Sequence, residues 1–434
     1  MMKIREKAAI GVLVFILTGL ISLSALAGEP QKAPLKLKEL IEEALQKNPE
    51  VIASRSRSEV LKERPSQAAS LDDPMLGFGI LNLPTDTFNF RQDDMTQKEI
   101  SVTQRLPFPG KRSLRSDMAQ REAEASVRDL EEARIKISRE MKTAYYELCY
   151  LNKAIAITEK NRELLKLLTQ IAETKYSVGE GIQADILRSQ VELSKMVEEL
   201  IMLNQNKRTV KAKINILLYR PAFAPLGEPE EVAPEKFSAN PEDLLQEAAS
   251  QRPLIQSMKK MVERNEVSLR MAQREYYPDF DLKLAYGQRD DGPNGKRADM
   301  VSAMVAFNIP LWFKGKQDRK VVESQKDIQS AKSQLAAMTN EVYFLIGEKI
   351  AEIERTERQM ELLKTGIIPQ ATLSLDSAMS AYRVNKVDYT ALLDSLMTLF
   401  KYELQYYRLL SDHEKSIAEL ESAVGRVLPK EKRG

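Results

Sequence analysis

One cysteine, one histidine and one tryptophan occur among the 434 residues, and each scarcity excludes something. A lone Cys149 cannot form an internal disulfide, so no disulfide scaffold holds this chain together. Lying within a helical pattern, it reads as a small apolar filler. A lone His413 cannot complete a three-ligand zinc site within one chain. Three copies could gather it only if its helix face pointed at a symmetry axis, so a packed or solvent-bonded histidine is the simpler reading. Net charge is almost absent too. With 65 basic and 63 acidic residues the formal balance is +2, which gives no field to attract nucleic acid. Nothing resembles a nucleophile held by a base, and no glycine-rich loop opens a helix in a βαβ setting. The expectation is therefore a protein that is not an enzyme and holds neither cofactor nor metal. The acids scatter among Lys and Arg, as on wet helical surfaces.

Long apolar runs are also lacking, with one exception at the start. Lys3, Arg5 and Lys7 precede an apolar run from about Ala8 to Leu23, which closes on Ala25-Leu26-Ala27. That order of charge, oil and small residues predicts a secretory signal over 1–27. No cysteine follows the run, so no lipid-modified N-terminal cysteine can form. Beyond it, no stretch is long and apolar enough to span a bilayer as a helix. A helical membrane protein is thereby excluded, but a β-barrel is not, because its strands are short and only alternately apolar.

What is present is a repeat. YSVGEGIQADILRSQVELSKM begins at Tyr176, and YRVNKVDYTALLDSLMTLFKY begins 206 positions later at Tyr382. TQRLPFPGKRSLR from Thr103 matches AFNIPLWFKGKQDRK from Ala306, with Pro107 and Pro310 203 apart and Gly110 and Gly315 205 apart. NPEVIASRSRSEVLKE near Asn48 and QRPLIQSMKKMVERNEVSLRMA near Gln251 each open a helix after a proline-marked boundary. The chain divides into a first repeat (28–221), a Pro/Glu-rich linker (222–237), a second repeat (238–425) and a tail (426–434). Such long units do not fit a short-period solenoid.

Each half reads as helix, two strands, long helix, reversal, long helix. Met75–Leu83 and Lys98–Leu106 form the first strand pair, with Ile100, Val102, Gln104 and Leu106 alternating with Ser101, Thr103 and Arg105. In the second pair, Phe280, Leu282, Leu284 and Tyr286 share a face, as do Val301, Ala303, Val305, Phe307 and Ile309. This period of two predicts strands with one oily and one small or polar face. After Gly110 and Gly315 glycine and proline nearly vanish for some 65 residues, which predicts rods on the order of 100 Å. The returning helices carry seams at three–four spacing, Leu193 to Leu217 and Leu392 to Val424, interrupted by Lys207, Glu403 and His413. Four strands cannot close a barrel, and lipid tolerates no open sheet edge. Three chains would supply twelve strands, an even number within the known range. The alternative is a small soluble sheet at the base of a coiled coil.

The ordered set of signal, duplicated plan, PFPGKR turn and Tyr-x-x-Gly turn resembles the outer-membrane efflux factor (TolC-like) family over nearly the whole mature chain. The resemblance implies a mixed α and β-barrel membrane protein: a trimeric twelve-stranded outer-membrane barrel, four strands per chain, continued by a long periplasmic α-helical coiled-coil barrel. It implies an exit duct in a tripartite system, passively conducting small compounds or ions delivered by an inner-membrane pump and a periplasmic membrane-fusion adaptor. Its surroundings would be a homotrimer and outer-membrane lipid. LPFPGKR at Leu106–Arg112 is similar to the form frequent in heavy-metal and cation branches, a hint toward metal-ion export. The chain departs from the lipoprotein branches, which carry an acylated cysteine.

Candidate residues follow in three groups. Tyr176, Gly179, Gly181, Tyr382 and Asn385 mark the two reversals; glycine allows the tight backbone there, and Asn385 at the position of Gly179 tolerates left-handed geometry. The resemblance implies that these turns dock the adaptor. It also implies acidic constriction after the second turn, at positions that fall on Ala391, where the acid is missing, and Asp394. Asp388 stands nearby, and the same alignment brings in Asp185 and Arg188. A threefold acid ring would concentrate cations; the plainer reading is a solvated helix start, favoured for Asp388 at a helix N-terminus. Pro107, Pro109, Gly110, Lys111, Pro310, Trp312 and Gly315 mark the border of barrel and tunnel. Lys111-Arg112 and Lys314-Lys316 suit a membrane interface or a solvated face. Trp312 and Phe313 suit an aromatic belt or a core plug. A competing function is a periplasmic coiled-coil adaptor or scaffold without a pore, although such proteins carry β-rich domains that this chain lacks.

Overall fold

A computed structural model describes residues 34–233, 235–293, 295–428 and 431–432. The signal expected over 1–27 lies outside the described residues, as does part of the tail. Each half begins with two helices rather than one: α1 (Leu37–Lys47) and α2 (Pro49–Ala69), then α5 (Pro241–Gln251) and α6 (Pro253–Arg274). Proline explains the breaks. Residues before a proline leave the helical region, and Asn48 and Arg252 do so with ψ near 125°. Asn48 then caps the new helix, its side chain accepting from the Glu50 amide at 2.9 Å. In the second half Asn240 caps α5 in the same way, from the Glu242 amide.

The first strand pair is β1 (Met75–Leu81) and β2 (Gln97–Leu106). The rod that follows, α3 (Lys111–Ser177), runs 67 residues, on the order of 100 Å, and α4 (Gln183–Leu217) returns beside it. A two-residue strand β3 (Glu235–Lys236) lies in the linker. In the second half β4 (Phe280–Gln288) and β5 (Met300–Phe307) precede α7 (Gln317–Leu362), a π turn (Leu363–Ile367) and α8 (Ile368–Arg383). Those three pieces of 46, 5 and 16 residues together match the length of α3. The π turn sits where Pro369 withdraws a backbone donor, so the ladder widens by one residue instead of breaking. The last helix, α9 (Tyr389–Val424), returns, and β6 (Glu431–Lys432) pairs with β3.

Two expected strands end early. Asn82, at φ +53°, turns the chain after Leu81, and Asn308 accepts from the Asp279 amide at 2.7 Å after Phe307. The linker is more than a spacer. Leu35 pairs with Pro229, and the Tyr145 hydroxyl donates to the Leu35 carbonyl while accepting from the Glu230 amide.

One antiparallel sheet holds the four main strands in the order β1-β2-β4-β5. The central β2–β4 pairing joins the two repeats, and β1 and β5 are left as edges. Its register sets Val102 opposite Leu284 and Ile100 opposite Tyr286, so most of the oily residues of the four strands share one face. That face is bare: Phe78 is 74% exposed and Val301 79%. The opposite face holds Ser101, Ala285 and Gly287, which are buried, and the Lys283–Glu99 ion pair at 2.7 Å. A sheet with oil outside and charge inside inverts the soluble pattern, and a contiguous apolar face of this kind marks a membrane or protein contact.

The packed core lies mostly in the helices. Leu40, Met141, Leu148 and Ile214 form one cluster; Ile255, Ile346, Ile353 and Leu420 form a second; Leu168, Met196, Leu392 and Leu396 form a third near the turns. The seams of α4 and α9 supply most of the apolar residues they bring to these clusters. His413 is 0% exposed, with Nδ1 3.2 Å from the Thr356 hydroxyl. Burial pushes the Cys149 thiol up to about 12, as suits an inert helix-packing residue. Leu396 packs with residues of α3, α4 and α8. We therefore expect Leu396→Ala to cost about 2–5 kcal/mol, read as a lower thermal midpoint by circular dichroism of the detergent-purified protein.

Candidate functional site

The two reversals share one hydrogen-bond plan. After α3 the Glu180 amide donates to the Lys175 carbonyl at 2.8 Å and the Gly179 amide to the Tyr176 carbonyl at 3.1 Å. After α8 the Lys386 amide donates to Ala381 at 2.9 Å and the Asn385 amide to Tyr382 at 3.2 Å. Both are Schellman caps, with Gly179 at φ +79° and Asn385 at φ +59° in the left-handed position. Gly181 meets a steric demand instead: a Cβ there would lie 3.0 Å from the Tyr176 amide nitrogen.

The two tyrosines do not share a role. Tyr176 is exposed, whereas Tyr382 is buried and meets the Tyr389 ring edge-on at 5.6 Å. Burial pushes the Tyr382 hydroxyl up to about 12, with the Asp185 carboxylate adding to the effect. Lys175 ties the reversals together, donating to the Tyr382 carbonyl at 2.7 Å and to Asn385, with its ammonium 4.5 Å from the Tyr382 ring centre. Asn385 in turn donates to Glu180 at 3.3 Å. Sequence reading missed Lys175 and Tyr389. The partners of Lys175 lie about 200 residues away, and a tyrosine near a helix start carries no signature of its own.

Asp185, Arg188 and Asp388 come together, and Asp394 does not join them. Arg188 donates to the Thr390 hydroxyl. The Asp388 side chain caps α9, accepting from the Ala391 amide at 2.9 Å, so the plain helix-start reading describes what it touches. Partial burial raises Asp185 above the ordinary carboxylate range; Arg188 opposes this and the Asp388 charge adds to it. Asp394 stands six residues further along α9, roughly 9 Å, on an exposed position.

At the border of strands and rods the structure corrects one expectation. Lys111 is neither an interfacial nor a solvated charge: it is 4% exposed, donating to Asp279 at 2.7 Å and to the Tyr277 carbonyl at 2.8 Å. The Phe108 amide donates to the same Asp279 carboxylate, and the Phe108 ring stacks on Tyr277 at 4.6 Å. Burial alone would raise Asp279, but Lys111, the Phe108 amide and the Arg115 charge outweigh it and hold this carboxyl low. Pro107 and Pro109 lead into Gly110, whose φ of +92° starts α3 in a left-handed turn that a side chain would strain. Arg112 also turns inward, donating to the Ala69 carbonyl at 2.7 Å.

The second border is open by contrast. Pro310 is half-buried, but Trp312 is 80% exposed, and Phe313, Lys314, Gly315 and Lys316 are exposed as well. Trp312 therefore plugs no core within this chain. Gly315 lacks the left-handed backbone of Gly110 and a Cβ there would meet nothing closer than 3.9 Å.

Comparison with known proteins bears on this arrangement. Residues 40–217 match the family model described as outer membrane efflux protein. The matched stretch lies within the first repeat. No curated protein matches it. Solved structures match over both repeats. The outer membrane protein VceC of Vibrio cholerae superposes with a TM-score of 0.76 at 18% identity, covering 90% of this chain and 96% of its own. The MtrE outer membrane channel of Neisseria gonorrhoeae in its open state gives 0.75 at 14%, covering 92% and 91%. CusC gives 0.75 at 15%, covering 93% and 96%. At these identities the likeness is one of fold, and the fold is that of solved outer-membrane channel subunits. No helix among the described residues is long and apolar enough to cross a membrane.

Two carboxylates should respond to pH in opposite directions. Asp279 is held low, so its contribution is full above pH 3.8, its ordinary value, and is lost as pH falls through the lower folded value. Asp185 is held high, so its ionised form costs stability once pH rises through its raised value. Asp185→Asn should therefore melt above the parent at pH 7, with the gain gone below pH about 3.8. Asp279→Asn, which strands the buried Lys111, should cost about 2–4 kcal/mol at pH 7, and Lys111→Met with Asp279→Leu should recover most of it. Thermal melts across pH read both.

Proposed function

We propose that three copies assemble into an exit duct, a twelve-stranded barrel in the outer membrane above a periplasmic helical tunnel. It conducts passively what an inner-membrane pump and a periplasmic adaptor deliver. One observation carries this reading: a four-stranded sheet with its oil facing outward and both edges unpaired, set on rods on the order of 100 Å. Lipid tolerates such a sheet only if its edges close, and further copies supply the missing strands. A poreless adaptor gives the outward apolar face nothing to meet.

The reversals of Tyr176, Gly179 and Gly181 and of Tyr382 and Asn385 are the adaptor-docking surface in this reading. Their paired Schellman caps and the Lys175 bridge give them one rigid tip. Asp394 is the strongest candidate for a constriction, because its exposed carboxylate has no ion-pair partner among the described residues. Asp185, Arg188 and Asp388 lie nearer the turn and are engaged with one another and with the start of α9. The cargo is small compounds or ions, and an acidic tip keeps metal cations within that class. The LPFPGKR stretch adds nothing on cargo, since its lysine is committed to Asp279.

The purified protein should form stable, cation-preferring pores in planar bilayers, and Asp394→Asn should lower the preference for cations over anions. Correctly folded protein that never conducts, or that fractionates only with the soluble periplasm, would contradict the proposal.

A further inference from the structure

The two hairpins of the chain are copies in register as well as in sequence. Advance β1 by 206 positions and β2 by 203, and every pairing of the first hairpin becomes one of the second. Met75 opposite Thr103 becomes Asp281 opposite Ala306; Phe78 opposite Ile100 becomes Leu284 opposite Ala303; Ile80 opposite Lys98 becomes Tyr286 opposite Val301. The ends of the helices obey the same shift. Arg112 donates to the Ala69 carbonyl, and Gln317, 205 positions on, donates to the Glu275 carbonyl, 206 positions on. The correspondence therefore runs through the strands and into the rods.

The chain contains one junction between repeats, β2 against β4, sealed below by Lys111 on Asp279 and Phe108 on Tyr277. A closed ring of repeats needs a second kind of junction, β5 against the β1 of another copy. Its parts are present and unused. The counterpart of Lys111 is Lys316, and the counterpart of Asp279 is Asp73. Phe313 precedes Gly315 by two residues as Phe108 precedes Gly110, and the counterpart of Tyr277 is Leu71. All four are exposed, and neither Lys316 nor Asp73 has an ion pair among the described residues. The charges are complementary and lie on opposite edges of the sheet.

We propose that the seam between chains reproduces the seam within the chain, with Lys316 and Phe313 of one copy seated on Asp73 and Leu71 of the next. This rests on the channel reading above. The shift also gives the register across that seam. Val102 opposite Leu284 becomes Val305 opposite Phe78 of the neighbour, Gln104 opposite Leu282 becomes Phe307 opposite Leu76, and Ile100 opposite Tyr286 becomes Ala303 opposite Ile80. Oily residues then meet oily residues across the join, so the apolar band continues around the barrel without a step. A slip by one residue would bring outward residues against inward ones, so the parity is strongly held. The exposed Trp312 beside Phe313 falls at this join, which makes it a residue of the seam.

Oxidative cross-linking tests the register. Within one chain, positions 305 and 78 lie on opposite edges, three strand spacings or about 14 Å apart, too far for a disulfide. A chain carrying Val305→Cys and Phe78→Cys should therefore give covalent dimers and trimers on denaturing gels. Either substitution alone should give none, and Val305→Cys with Ile80→Cys should give much less. The native Cys149, partly buried in the helical region and held far from its thiolate, stays out of the reaction. Charge exchange tests the seat below: Lys316→Glu and Asp73→Lys should each lower the temperature at which the assembly dissociates in detergent, and together should restore it. Conducting trimers that cross-link through Ile80, or not at all, or that gain nothing from the exchange, would overturn the inference and leave the channel standing. A parent protein that forms no trimer would overturn both.

Discussion

Everything about this chain turns on an edge that cannot be left open. A strand edge carries amide and carbonyl groups that must be paired, and hydrocarbon offers no partner for them. The sheet has two such edges, β1 and β5, and an apolar face spread across all four strands. Neither feature is tolerable for an isolated chain in lipid, and neither would be kept by a sheet meant for water. Given the edges, closure by identical copies follows. Given closure, each copy must present matching ends, and a duplicated chain does so automatically.

Duplication also explains where the halves are free to differ. The pairing β2–β4 lies inside one chain, so its lower seal could be built from a buried lysine and a carboxylate that accepts from two donors. The tip is asymmetric in another way. Gly179 and Asn385 hold equivalent left-handed positions, but Tyr382 is buried against Tyr389 while Tyr176 is left in water. Lys175 spans the difference, reaching from the first reversal into the second. A symmetric pair of turns would have two similar docking edges; this chain has one bare tyrosine edge and one locked against α9.

Much of this was legible in the residues. Strict alternation in Ile100 to Leu106 and Phe280 to Tyr286 revealed the strands, because a period of two has few other causes. The spacing of Tyr176 and Tyr382 revealed the repeat, and the near absence of glycine and proline revealed the rods. What could not be read depended on distant partners. Lys111 follows a turn and looks solvated until Asp279, 168 positions away, is seen to hold it. The acids at 185 and 388 look independent until the starts of their helices are brought together. The π turn before Pro369 was hidden for another reason. A single widened turn leaves the apolar spacing on both sides intact, so periodicity runs through it. The short helices α1 and α5 were hidden because a proline-marked boundary points to the helix that follows it and not to the one that precedes it.

The central claim is that this chain is one third of a closed barrel. Native mass spectrometry of the protein released gently from detergent measures that directly. The account predicts a single dominant species at three times the subunit mass, persisting after the helical tip is engaged or altered. A monomer, or a dimer stable on its own, would leave sheet edges unpaired in lipid and would contradict it.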